Sequence, residues 1–333
     1  MRRLLLLLVV ALGLAPGTWL HASLAESRID FRPILVVHAL AVAEPRRGDF
    51  DISGVWQLTS HSTHFGGYSA LAVLPGGQLF AVSDAGRLLR FAPPGTPPHP
   101  VYMDYMARLR VAGRIKPDME GMARDPVSGN IWISFEGWNA ILRHDSDYKA
   151  QVWIQPPAMR GWPANRGAES FARLADGRFI VLAEGSPRWF ASTYPALLFP
   201  SDPVLGAPPI EFSFTPPRGF RPVDAVQVPD GRVLILLRRA LWAFPPRFES
   251  LLMAADPAQI RAGEVWAAKE VFAIREPLPT ENYEGLAVER GARGSMVIWL
   301  ISDDNRLKLQ RTLLMKLVWH PNEKARGTSR APS

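Results

Sequence analysis

One pattern recurs along this chain and restricts its fold more than any other feature. A strand-forming run opens on an acidic residue, a short turn follows, and a second apolar run ends in a charged residue. Asn282-Tyr-Glu-Gly-Leu-Ala-Val-Glu followed by Met296-Val-Ile-Trp-Leu-Ile-Ser-Asp-Asp-Asn305 is its fullest form. Lys116-Pro-Asp-Met-Glu-Gly-Met-Ala leads in the same way to Ile131-Trp-Ile-Ser-Phe-Glu136, and Asn165-Arg-Gly-Ala-Glu-Ser-Phe-Ala to Arg178-Phe-Ile-Val-Leu-Ala-Glu184. Arg221-Pro-Val-Asp-Ala-Val-Gln-Val leads to Arg232-Val-Leu-Ile-Leu-Leu-Arg238, and a weaker copy runs from Gly67-Tyr-Ser-Ala-Leu-Ala-Val to Gln78-Leu-Phe-Ala-Val-Ser-Asp84. Repetition on this scale means that one supersecondary unit is stacked several times.

Aligned on their opening residue, the five copies place Ser69, Glu120, Glu169, Asp224 and Glu284 at one position, separated by 51, 49, 55 and 60 residues. Such periods suit four-stranded β-propeller blades of about 40 to 50 residues with loop insertions. Turn signals at Pro75-Gly-Gly, Ser128-Gly-Asn, Ala175-Asp-Gly and Pro229-Asp-Gly fall where hairpins need them. The expectation is an all-β propeller of four-stranded antiparallel blades, with five repeats counted and five or six blades. The last repeat offers three strands, and Ile52 to Leu58 supplies its fourth, joining the two ends of the chain in one blade. A sixth, degenerate blade would draw on residues 26–66. Ala254 to Ala262 has the composition of a short helix, and Glu264 to Ile274 that of one strand. A β-sandwich or two smaller β domains is the competing architecture, but matching hairpins with one recurring acidic position fit a propeller better.

Outside the repeats, Met1-Arg-Arg, the apolar run Leu4 to Leu14 and Ser23-Leu-Ala25 form a secretory signal pattern with cleavage near Ala25. The apolar run falls short of the roughly 20 residues that a membrane span needs. The expected order is therefore a signal peptide at 1–25, an N-terminal extension at 26–49, the propeller at 50–321 and a disordered tail at 322–333. A periplasmic or secreted protein without a stable membrane span after processing follows. The absence of cysteine excludes disulfides, thiolate catalysis and zinc ribbons. A net charge of +7 favours an anionic partner, a small phosphorylated substrate or an anionic membrane surface, while the scattered bases and missing motifs argue against nucleic acid. The sequence leaves the oligomeric state open.

In a propeller, equivalent positions of successive inner strands converge on one end of the axis. Glu120, Glu169, Asp224 and Glu284 then form a ring of carboxylates, with Ser69 the odd member. Like charges so close need neutralising, and a hard divalent cation, Ca²⁺ first, does so through oxygen ligands. Lys116, Arg166 and Arg221 lie three or four residues ahead of three ring acids and are candidates to bind phosphate oxygens, as is Arg238. Asp84, Glu136, Glu184, Arg238 and the Asp303-Asp304-Asn305 cluster end the second strands. There is no phosphate-binding loop, no His-Glu-x-x-His and no Gly-x-Ser-x-Gly elbow, since position 71 is Leu.

Gly66-Gly-Tyr-Ser-Ala-Leu-Ala-Val-Leu-Pro-Gly-Gly, Ser83-Asp-Ala-Gly-Arg, Asp118-Met-Glu-Gly, Asn165-Arg-Gly-Ala-Glu, Asp230-Gly-Arg-Val-Leu-Ile-Leu-Leu-Arg-Arg and Asn282-Tyr-Glu-Gly-Leu-Ala to Ser302-Asp-Asp-Asn together resemble the phytase-like family, the "esterase-like activity of phytase" proteins. The resemblance spans about residues 50–320 and implies a propeller whose acids serve phosphomonoester or phosphodiester hydrolysis. By that resemblance Asp84, Glu120, Glu169, Asp224, Glu284, Asp303 and Asp304 are the metal candidates, and Glu120, Glu169, Asp224 and Glu284 the catalytic ones. The sequence departs from the acidic pattern at Ser69, and has Ala168-Glu-Ser where an acidic-Gly pair is expected. The function expected is an exported metal-dependent phosphoesterase. Its rivals are a lactonase or carboxylic-ester hydrolase on the same fold, and a non-catalytic periplasmic binding module whose acids are structural.

Overall fold

Short apolar runs between tight turns give each repeat one antiparallel sheet. Turns such as Asp176-Gly177 and Asp230-Gly231 close the first hairpins, with Gly177 and Gly231 at φ of 89° and 94°, a region that β-carbons disfavour. A computed structural model describes residues 29–106, 110–111, 114–115, 118–187, 192–307 and 309–321. The expected signal peptide, the tail at 322–333 and Lys116 lie outside these residues.

Five sheets form five blades. The first is Tyr68–Val73, Leu79–Ser83, Arg87–Phe91 and Tyr102–Tyr105, and the second Met119–Arg124, Ile131–Phe135, Ala140–His144 and Ala150–Ile154. The third is Ala168–Arg173, Phe179–Ala183, Tyr194–Phe199 and Ile210–Phe214, and the fourth Arg221–Gln227, Val233–Leu241, Arg247–Ala255 and Lys269–Ile274. The fifth takes Tyr283–Arg290, Met296–Ser302 and Thr312–Trp319 from the end of the chain and Phe50–Thr59 from its beginning, paired Phe50 to Trp319 and Leu58 to Thr312. The two ends thus meet in one blade. No sixth blade forms from 26–66, because Val36–Leu40 adds to the outer edge of Phe50–Thr59 instead.

Apolar faces on both sides of each blade explain the closure. Adjacent blades share a separate buried cluster, five in all: Phe80 with Ile133, Trp132 with Phe179, Leu182 with Ile235, Leu236 with Leu300, and Trp299 with Leu71 mark them in turn. The last of these returns from the fifth blade to the first. Each such buried side chain contributes about 1.5–3 kcal/mol, so opening the ring at any seam is costly.

Two local expectations change. Glu264 to Ile274 is not one strand. Val265–Trp266 leaves to pair in parallel with Ile210–Phe214 of the third blade, because Trp266 packs edge-on against Phe212 and its Nε1 donates to the carbonyl of Asp256. Residues 254–262 form no α-helix. The strand continues to Ala255, and only a 3₁₀ turn, Pro257–Gln259, follows, capped by the Asp256 side chain. Among the described residues no helix is long and apolar enough to cross a membrane.

Candidate functional site

The inner strand of every blade bulges at or beside the residue that opens its repeat. Pairing with the second strand slips between Tyr68 and Ala70, Met119 and Met122, Ala168 and Ser170, Pro222 and Asp224, and Tyr283 and Gly285. The residues left in the bulges are Ser69, Glu120 with Gly121, Glu169, Val223 and Glu284. A bulge re-aims its side chain, and here it aims four polar side chains at the axis. Aspartate 224 is not among them. It lies one residue further along, and in the fourth blade the equivalent of the ring acids is Val223. The carboxylate of Asp224 instead accepts backbone N–H groups from Ala225 (2.8 Å) and, across the blade seam, Leu286 (2.7 Å). Burial alone raises its proton affinity, opposed by those two bonds, and no other carboxylate acts on it.

Gly121 and Gly285 show why a glycine follows the acid. A β-carbon on Gly121 would stand 2.2 Å from the backbone oxygen of Glu169, and one on Gly285 3.0 Å from the carbonyl carbon of Ala70. The inner strands approach too closely there for any side chain. Ala70, Ser170 and Asp224 hold the corresponding places in the first, third and fourth blades, so the glycine is confined to the second and fifth.

A second ring encloses the first. The residue after the second strand is Asp84, Glu136, Glu184 or Asp303 in four blades, and register makes Arg238, inside the longer second strand of the fourth, their equivalent. In four blades its N–H donates to the residue ahead of the inner strand: Asp84 to Gly67, Glu136 to Asp118, Glu184 to Gly167 and Asp303 to Asn282. The fourth blade is therefore the exception twice, with Val223 inside and Arg238 outside.

Arg238 is the cation of this acidic centre. Its guanidinium pairs with Glu184 (3.2 Å) and Glu284 (3.2 Å) and donates to the Asn282 amide oxygen (2.8 Å). The Asn282 amide nitrogen in turn donates to Glu284 (2.8 Å). Burial opposes the charge of Arg238, yet Glu284, Glu184, Glu169 and Glu120 hold it above its ordinary range. Arg221 reaches the other oxygen of Glu184 (3.1 Å). Arg166 does not join the cluster; it is exposed, with its stem against Gly185.

The remaining acids are held against solvation and against one another. Burial, then Glu284, Glu136, Asp118 and Asp84, lift Glu120 well above the carboxylate range. Burial, then Glu120 and Glu184, do the same to Glu169 against the pull of Arg238. Asp303 is raised by burial and Glu284, and Asp84 by burial against the N–H of Ala85. Glu136 is pushed up to about 7 by burial and Asp118, although its carboxyl is hydrogen-bonded to Glu169. Asp304 has a structural place, accepting from Gly67 N–H (3.1 Å), Arg306 N–H (2.9 Å) and the Thr312 hydroxyl (3.0 Å).

Two sets of oxygens lie within 4.8 Å of one another: Asp118, Glu120 and Glu136, and Glu136, Glu169 and Glu184. Oxygen ligands at about 2.3–2.6 Å from one ion are at most about 5 Å apart, so these half-buried and buried acidic groups could take a hard cation. Asp118, at φ 86°, is a ligand candidate that the ring alignment overlooks. Its sequence signal was the Asp-Met-Glu-Gly spelling, and the strained backbone turns Asp118 toward the cluster through the Asp84 carbonyl, which accepts from both Asp118 and Met119 N–H.

Among solved structures the chain is similar to hydrazine synthase of Kuenenia stuttgartiensis (12% identity, TM-score 0.38), covering 73% of this chain and 58% of that one. It is also similar to the PQQ-bound aldose sugar dehydrogenase of Streptomyces coelicolor (13%, TM-score 0.40, covering 87% and 100%) and to a gluconolactonase of Xanthomonas campestris (14%, TM-score 0.42, covering 84% and 94%). No curated protein matches it. Residues 63–306, well over half of the sequence, match the description "Phytase-like: Esterase-like activity of phytase", and the chain belongs to that family.

Proposed function

We propose that the protein is an exported hydrolase of phosphate esters that works with a divalent cation, Ca²⁺ before others, bound among the carboxylates at the axis. The observation that carries this reading is the double ring, in which seven carboxylates from four blades surround one end of the axis and a single central guanidinium comes from the fourth. Glu136, Glu169 and Glu184 would hold the ion, since their oxygens have the spacing and hardness it takes, with Asp118 next to Glu136 in the neighbouring set. When bound, the cation supplies charge to a phosphoryl oxygen and lowers the proton affinity of a water.

The chain's own groups supply the rest. Arg238, already spread between Glu184 and Glu284, is the donor for the non-bridging phosphate oxygens, with Arg221 beside it. Glu120 is the most open of the inner acids and is the group placed to accept the proton of an attacking water. Water then bonds to phosphorus as the ester P–O bond breaks, and the departing alcohol carries a proton away. A carboxylic ester or lactone would use the same groups.

The test is hydrolysis of a chromogenic phosphoester, with Ca²⁺ and with chelator, by wild type, Glu169→Gln and Glu284→Gln. Activity should fall at least about a hundredfold with chelator or with either substitution. Turnover indifferent to all three treatments removes the proposal. A lactone panel run alongside decides the ester class.

A further inference from the structure

The fourth blade departs from its neighbours once more. Its second strand, Val233–Leu241, has 9 residues where those of the first three blades have 5. The added residues continue past Arg238, so the hairpin with Arg247–Ala255 stands out beyond the carboxylate end of the propeller. Its flanks are fixed: Arg239 pairs with Glu249 and lies over the Phe220 ring, and Arg247 pairs with Glu276 at 3.1 Å. Its tip is apolar and bare. Trp242 is 107% exposed and Phe244 78%, with Leu241 also open beside them. A tip left bare by the described residues is suited to contact with something else.

The same end carries more of both chemistries. Val36 pairs with Thr59, which leaves Phe31 and Ile34 exposed at the carboxylate end of the fifth blade. Arg160 and Arg218 lie on the loops that enter the third and fourth inner strands. They are exposed and form no ion pair among the described residues. Aromatic tips with unpaired guanidinium groups around them match a lipid interface, where Trp settles at the headgroup level and arginine meets phosphate. Without residues 1–25, which carry Arg2 and Arg3, the chain still has a net positive charge that adds long-range attraction to an anionic surface.

We propose that this end of the propeller docks on a bilayer containing anionic phospholipid, with Trp242 and Phe244 inserted at the boundary of headgroups and acyl chains. Docking would bring the recessed carboxylate centre to the membrane surface. The inference rests on the exposed residues and not on the chemistry proposed above.

Two measurements on the full chain test it. Vesicles of brominated phosphatidylcholine mixed with phosphatidylglycerol should quench Trp242, so the quenching seen in wild type should be lost in Trp242→Phe. This readout is indifferent to any other segment that holds the protein on the vesicle. In co-sedimentation, Trp242→Ala/Phe244→Ala should lower the vesicle partition coefficient at least about tenfold. Arg160→Ala/Arg218→Ala should erase the preference for phosphatidylglycerol over pure phosphatidylcholine. Equal quenching in wild type and Trp242→Phe overturns the proposal. So does a wild type that forms a concentration-dependent dimer which the aromatic double substitution abolishes, because the hairpin is then a contact between copies of the chain.

Discussion

Replacing Glu136 with Gln should make the protein more stable, and by more as the pH rises. The ordinary glutamate value is 4.5, and Glu136 stands at about 7 through burial and its proximity to Asp118. A carboxyl raised by folding binds more protons folded than unfolded between pH 4.5 and 7, so the native state loses stability as pH climbs through that window. The full displacement corresponds to about 3 kcal/mol, and because Glu136 is partly open to water, screening reduces it to about 1–2 kcal/mol. Glu120, Glu169 and Asp303 are raised as well and act in the same direction. The lowered acids Asp30, Asp104 and Asp125 exert their opposite effect at lower pH. Thermal unfolding in chelator should show wild type losing stability between pH 4.5 and 7, while Glu136→Gln loses less, with a gain in melting temperature of about 2–6 °C at neutral pH. Added Ca²⁺ should stabilise wild type most at the high end, where fewer of these carboxyls hold protons. A wild-type melting temperature that is flat or rising across the window, or a Glu136→Gln slope equal to wild type, would refute the argument.

Other perturbations separate structural from functional groups. Gly121→Ala forces a methyl to 2.2 Å from the Glu169 carbonyl and should cost about 3 kcal/mol or more in denaturant unfolding; an unchanged midpoint would mean that the strands are not this close. Asp224→Ala should cost about 2–3 kcal/mol by orphaning the N–H groups of Leu286 and Ala225, yet leave turnover per folded molecule intact. Loss of activity without loss of stability would return Asp224 to the site. Arg238→Gln should raise KM for anionic substrates about tenfold or more and steepen the pH dependence of the melting temperature, since Glu184 and Glu284 lose their common partner.

The propeller was legible because its signals are local. Glycine turns, alternating apolar runs and the recurring acid identify each hairpin without knowledge of its neighbours, and the three-strand final repeat pointed to Ile52–Leu58 as the missing edge. What failed was a single register. Arg221-Pro-Val-Asp matches the acid of the other repeats by eye, but the bulge falls on Val223, and a one-residue slip along a strand turns a side chain to the opposite face. Counting back from the second-strand ends finds the error. Arg238 is the equivalent of Glu184 and Asp303, and its pairing with the inner strand makes Pro222, and not Val223, the counterpart of Ala168 and Tyr283. Asp118 escaped for a different reason: it comes before its inner strand and reaches the cluster only through a positive φ, which no hydrophobic period encodes.

Blade four then explains the electrostatics of the whole end. Were Val223 an acid and Arg238 a glutamate, as symmetry would have it, ten positions around one axis would hold nine carboxylates and Ser69. Burial would force most of them to stay protonated. Replacing one acid with valine lowers the repulsion without creating a new buried polar group, and replacing another with arginine draws Glu184 and Glu284 toward a shared cation. Glu120, Glu136 and Glu169 form no ion pair with that guanidinium, and their side of the ring holds the oxygen sets spaced for a metal. A site with fivefold pseudosymmetry thereby acquires two unlike sides, one fit for a cation and one for an anion, which is the polarity that a metal-assisted reaction on a phosphate ester needs.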